Sequence, residues 1–131
     1  MISYRKRKHY KYVLDANYHL PTPICPPQRI ELVPVLILDT TGELTIKAGY
    51  AWDGITGVPD LNSMLLPSLV HDALYQLMRE GHLPQSARTY ADELFRDLCR
   101  ERTYPWLAQL AYHVVNLFGA RYATSDLKKA P

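Results

Sequence analysis

The apolar run from Leu66 to Glu80 constrains this chain more than any other stretch. In its middle, "LVHDALYQL", a histidine and an aspartate stand side by side, with a tyrosine one turn further on. Pro67 lies where a first helical turn tolerates proline, and the run ends before Gly81, so it is punctuated as a helix. Polar and charged groups inside such a helix cost free energy unless they find partners. The remaining sequence must therefore supply those partners. On a helix His71 and Tyr75 share a face, while Asp72 is turned about 100° away.

Ser86 to Arg102 reads as a second helix, with Ser86 at the capping position and Ala91, Leu94, Phe95 and Leu98 forming an apolar stripe. The short connection predicts antiparallel packing of the two helices. Asp92 lies at the edge of the stripe and needs a donor, for which the His71 imidazole and the Tyr75 phenol are the facing candidates. Asp92 would then set the tautomer and orientation of His71, leaving the second ring nitrogen as a base. Pro105 to Phe118 reads as a third helix stopped by Gly119. Its apolar residues run nearly all round, which predicts a largely buried helix with His113 as a partly buried packing residue.

The first half is strand-like. "YKYVLDANYHL" mixes aromatic and branched residues without helical spacing, and "PTPICPPQ" is a break that excludes helix and central strand. Two β-rich runs then flank Asp39-Thr40-Thr41-Gly42, a hairpin turn with glycine where a positive φ is needed. Val35 to Leu38 is apolar at every position, which predicts cover on both faces, and Pro34 predicts a bulge or an edge at its start. Leu44 and Ile46 alternate with polar residues, as in a half-buried strand. The expected fold is α+β, an N-terminal β-hairpin or small antiparallel sheet followed by three helices. At 131 residues the chain is read as one domain, 1–131, with a strand-rich half and loop over 1–57 and a helical half over 66–120.

A hydrophobic fraction of 47% excludes a wholly disordered chain. No apolar run reaches the roughly 18 residues of a membrane span. The basic start "MISYRKRKHYKY" is not followed by the apolar segment of a signal peptide. A net charge of +2 is too small to suggest a nucleic-acid partner. Arg5, Lys6, Arg7, Lys8 and Lys11 read as a solvated face or terminus, or as a run that attracts the phosphates of a membrane surface or of nucleic acid, and the interleaved Tyr4, Tyr10 and Tyr12 favour an amphipathic edge strand or interface. Cys25 and Cys99 lack metal-ligand spacing and read as two free, buried thiols. Trp52 reads as a core anchor. The sequence has no nucleotide-type glycine loop, cysteine zinc motif or Gly-x-Ser-x-Gly elbow.

"HDALY" followed by "AD" on the next helix resembles the His-Asp-x-x-Tyr signature of secreted-type phospholipase A2, and especially its disulfide-free viral capsid versions. That resemblance implies a phospholipase A2-like antiparallel helix pair. It also implies His71 as the water-activating base, Asp92 and Tyr75 as its support, and Asp72 as a calcium ligand. The loop "GYAWDGITG", with Gly49, Gly54 and Gly57, would add oxygens to the same hard cation. Tyr50, Asp53 and Gly54 are the candidate ligands there. The family's loop is Tyr/Trp-x-Gly-x-Gly, from which this chain departs by the additional acidic Asp53.

A second resemblance spans about residues 30–120. The succession "GYAWDGITGVP", "HDALY", "RTYAD" and "NLFG" is similar to a family of small phage and prophage proteins of unknown function. It implies a phage gene product acting in the host cytoplasm or the virion. Members carry Ala-Ser after the loop aspartate, where this chain has Gly-Ile-Thr, so Thr56 is the residue that would take over a serine's role. Two functions follow as expectations. One is a calcium-dependent hydrolase of lipid esters with membrane phospholipid as its partner. The other is a non-catalytic virion or host-interaction protein in which His71, Tyr75, Asp92 and Arg88 merely hold two helices in register. The hydrolase reading further expects Tyr50 to Gly57 to fold back over the start of the His71 helix.

Overall fold

The computed structural model describes residues 4–5, 12–52 and 62–122. The chain divides between Asp53 and Gly54 into two compact units, a strand unit and a helical unit. Small antiparallel sheets come first and three helices follow, an α+β arrangement.

The strand unit holds β1 (Tyr4–Arg5), β2 (Tyr12–Leu14), β3 (Tyr18–Pro21), β4 (Ile30–Leu32), β5 (Leu36–Leu38), β6 (Glu43–Ile46) and β7 (Ala51–Trp52). They form a three-stranded sheet in the order β1-β2-β7 and a four-stranded sheet in the order β3-β6-β5-β4, with every pairing antiparallel. The β5–β6 hairpin closes as its sequence predicts. Gly42 donates to the Asp39 carbonyl, and the Asp39 carboxylate accepts from the Thr40 amide. Gly42 has φ +89°, and a Cβ there would collide with the Thr22 carbonyl, so the turn requires glycine twice over. Leu36, Leu38, Leu44 and Ile46 point into the core from this hairpin, while Ile37 is half-covered.

Pro34 makes neither a bulge nor an edge. It lies in the turn between β4 and β5, where Val35 donates to the Leu32 carbonyl, and β5 is central in its sheet. A proline confined to the turn removes no ladder hydrogen bond. The proline-rich break does leave the sheet after Pro21, the last residue of edge strand β3. Trp52 is a core anchor, its ring tilted against that of its cross-strand partner Tyr12 at 5.3 Å between centroids. The two cysteines are free. Only Cys99 is buried; Cys25, in the proline-rich segment, is exposed.

The helical unit begins with a 3₁₀ turn, Asn62–Met64, and runs through α1 (Leu65–Arg79), α2 (Ala87–Arg100) and α3 (Pro105–Tyr122). Gly81, at φ +82°, ends α1: His82 donates to the Leu77 carbonyl and Gly81 to that of Met78, the paired bonds of a Schellman cap. Ser86 occupies the capping position of α2, yet its side chain makes no capping bond. Its backbone is already helical, so the hydroxyl is not aimed at the first amides, and the Pro84 and Gln85 carbonyls take the Ala87 and Arg88 amides instead.

α1 and α2 are antiparallel. Met64, before α1, meets Cys99 near the end of α2, whereas Tyr75, late in α1, meets Asp92 early in α2. Met64, Phe95, Cys99, Leu107, Ala108, Ala111 and Val115 form a common core that joins α2 to α3. The expectations for α3 need two corrections. Gly119 does not stop it, because the helix continues to Tyr122. Nor is it buried all round: Leu107, Ala108, Ala111 and Val115 pack inward, whereas Trp106, Leu110 and Leu117 are exposed. Among the described residues no helix is long and apolar enough to cross a membrane.

Candidate functional site

His71, Tyr75 and Asp92 meet between α1 and α2. The one-turn spacing on α1 puts the imidazole and the phenol on the face that α2 covers, and Asp92 reaches both from across the helix pair. His71 Nε2 lies 2.7 Å from Asp92 Oδ1, and the Tyr75 hydroxyl donates to the same oxygen at 2.6 Å. Asp92 is 0% exposed and His71 6%. Short bonds to a carboxylate in so dry a place are electrostatically strong.

Aromatic rings fix the imidazole as firmly as its hydrogen bond does. The Tyr75 ring lies 4.1 Å from it between centroids, and Phe95 meets it edge-on at 5.2 Å. Burial pushes the Tyr75 phenol far above its ordinary value, and its bond to the Asp92 carboxylate pushes it further, with the Arg88 charge opposing. The phenol therefore stays protonated and donates, so Asp92 Oδ1 accepts. A carboxylate that accepts from Tyr75 also accepts from His71, which assigns the ring hydrogen to Nε2 and the lone pair to Nδ1. No hydrogen-bond partner for Nδ1 is found among the described residues. A base whose one nitrogen is anchored and whose other is open can take a proton from water or from an acidic substrate group.

Asp92 Oδ2 is buried and finds no partner among the described residues. An oxygen of that kind is where an internal water belongs. Cys99, close by on α2, is inert by contrast: burial pushes its thiol up to about 12, and Sγ lies 3.5 Å from Met64 Sδ.

The sequence reading missed two parts of this site. Phe95 was taken only as a member of the apolar stripe, although its place three residues after Asp92 puts it on the same face. Gly119 was taken as a helix stop. It is buried inside α3, where a Cβ would collide with the Tyr75 hydroxyl. Glycine is there so that α3 can close over the phenol. Gly119→Ala is expected to displace that hydroxyl and to destabilise the fold by about 1–3 kcal/mol, the usual cost of overpacking, which chemical denaturation will measure.

Asp72 is half-buried on α1. Tyr50 is fully buried in the strand unit, and its carbonyl accepts the Leu14 amide, which completes the β2 ladder. Asp53, Gly54 and Thr56, with the rest of the loop expected over the start of α1, lie outside the described residues. Among the described residues no group of three or more His, Cys, Asp or Glu side chains converges. Calcium needs six to eight oxygens; of the ligands the resemblance implies, Asp72 and Tyr50 are the ones among the described residues. His113 is not a packing histidine either; it is exposed and bonded to Gln109 at 3.2 Å.

Tyr75 also makes the fold sensitive to alkali. Its phenol is held protonated in the folded state, whereas the unfolded chain releases that proton near its ordinary value of 10.0. Its contribution is fully present below pH 10 and is lost as pH rises beyond it, because the unfolded state then binds fewer protons. Tyr75→Phe is expected to cost about 1.5–3 kcal/mol at pH 7, the worth of a bond to a charged group. The variant should also lose stability less steeply than the wild type between pH 10 and 11. Parallel slopes in urea titrations at those pH values would contradict this.

The fold and site define an α+β protein with a buried His–Asp–Tyr network between two antiparallel helices. No family model matches the chain, and neither does any curated protein or solved structure.

Proposed function

We propose that this chain is a phage- or prophage-encoded protein whose His71 activates water for the hydrolysis of ester bonds in lipids. One observation carries the reading: Nε2 is tied to Asp92 while Nδ1 has no partner among the described residues. A water on Nδ1 would pass its proton to the ring as its oxygen attacks the ester carbonyl, and the ring would return that proton to the alcohol oxygen as the ester C–O bond breaks and the fatty acid leaves. The imidazolium that forms is stabilised by the Asp92 carboxylate, and Tyr75 keeps that carboxylate in place. The order of the four phage-type motifs supports the phage origin, and the His-Asp-x-x-Tyr helix supports the choice of lipid esters. Calcium, with Asp72 as a ligand, belongs to the same proposal.

The test is release of fatty acid from anionic phospholipid vesicles, with and without calcium, by wild type and by His71→Asn. Burial favours a second reading: a base that must meet substrate is 6% exposed and its carboxylate partner 0%. In that reading the network is a scaffold in a non-catalytic virion or host-interaction protein. Folded wild type with no release above the His71→Asn control, together with no calcium binding by calorimetry, selects it.

A further inference from the structure

Helix α3 is apolar on two opposite sides, and among the described residues only one of them is packed against another element. The inner stripe, Leu107, Ala108, Ala111 and Val115, is buried against α2. The outer one consists of Trp106, Leu110 and Leu117, which are 66%, 54% and 76% exposed, with Tyr104 stacked on Trp106 at 6.5 Å and 70% exposed. From Tyr104 to Ala120 the sequence contains no Asp, Glu, Lys or Arg. A water-facing helix normally carries charge on its outer side. This one carries a tryptophan and two leucines there.

The spacing says what kind of surface fits. Trp106, Leu110, His113 and Leu117 follow one another at four, three and four residues, the a/d repeat by which one helix seats its side chains into another. We propose that this outer face of α3 is where a second copy of the chain docks, α3 against α3 and antiparallel about a two-fold axis. That symmetry places Trp106 of each copy opposite Leu117 of the other, and Leu110 opposite His113. An uncharged strip meets its own copy without like-charge repulsion, which a self-complementary interface requires.

The polar atoms on the strip do not oppose burial. Gln109 Nε2 is bonded to His113 Nε2, and Gln109 Oε1 accepts from Arg100 at 3.4 Å. Arg96 is occupied above the Tyr112 ring at 4.9 Å. Tyr104, Trp106, Leu110 and Leu117 together expose on the order of 500 Å², judged by what aromatic side chains bury. Two copies would hide about 1,000 Å², the lower limit for a specific interface. An interface of this size is accordingly expected to be weak and reversible. This inference is independent of the hydrolase reading.

Sedimentation equilibrium of the full chain from about 1 to 200 μM tests it. Wild type should pass from monomer to dimer, and Leu110→Glu/Leu117→Glu should raise Kd at least tenfold while keeping the wild-type helical circular dichroism. Fluorescence supplies a second readout. Trp52 is already buried, so a blue shift that grows with concentration and disappears in the double variant reports Trp106. If the double variant fails to fold, Trp106→Ala, at the exposed N-terminal end of the strip, takes its place. A wild type that is monomeric throughout overturns the proposal, as does a dimer that the variants leave unchanged. A blue shift produced by vesicles of anionic phospholipid, with the protein monomeric in buffer, assigns the face to a membrane instead.

Discussion

Asp92→Ala is expected to cost the folded state about 3–5 kcal/mol, the range for removing one partner of a buried, hydrogen-bonded charge. Asp92 Oδ1 accepts from both the Tyr75 hydroxyl and His71 Nε2, and all three groups are buried. Deleting the carboxylate orphans two donors at once, each at about 1–3 kcal/mol. It also leaves a void between α1 and α2. Relief from desolvating a carboxylate offsets part of this, so the total is less than the sum of its parts. Asp92→Asn keeps an acceptor at the Oδ1 position and should cost about half as much. Urea denaturation at pH 7 of wild type, Asn and Ala variants measures the series. An Ala variant within about 1 kcal/mol of wild type would show that the network contributes little to holding the helices together.

Under the proposed function, His71→Asn is expected to lower fatty-acid release about 100- to 10,000-fold, the worth of a positioned general base. Asparagine keeps a polar side chain of similar size, so the fold survives and the loss reports the base. KM should change little, because Nδ1 serves the transition state rather than the ground state. Asp92→Asn should do less harm to activity: it disturbs the tautomer and orientation of His71 without removing the ring, which Tyr75 and Phe95 still clamp. The two substitutions thus separate the duties that the proposed function assigns: Asp92 is expected to govern stability more than rate, and His71 rate more than stability. If the two residues change stability alike and fatty-acid release not at all, the helix pair is a scaffold.

Much of this was legible in residue order. Proline at the start and glycine at the end bracket α1, and the apolar stripe of α2 leaves Asp92 at its edge. A short antiparallel connection then gives a buried carboxylate few places to find a donor. That is why the His71–Asp92–Tyr75 bonds follow from sequence: helical spacing fixes who shares a face, and burial compels pairing. The β5–β6 hairpin was legible for the same kind of reason, since an Asp-x-x-Gly turn and period-two alternation are local.

What failed depended on distant chain. Gly119 reads as a helix end by every local rule, and only the Tyr75 hydroxyl packed against it shows why glycine is there. The capping role of Ser86 was lost to backbone bonds from Pro84 and Gln85. His113 and the outer leucines of α3 read as core because an apolar residue does not state which neighbour covers it. Sequence by itself determined the order of elements, the faces of α1 and α2, and the residues obliged to pair, because dihedral preference, helical period and the cost of burying charge act locally. Tertiary structure alone decided that both Tyr75 and His71 share one oxygen of Asp92, that a glycine admits α3 over the phenol, and that one side of α3 is left to water. Those outcomes depend on how closely separate elements approach, which no local preference encodes.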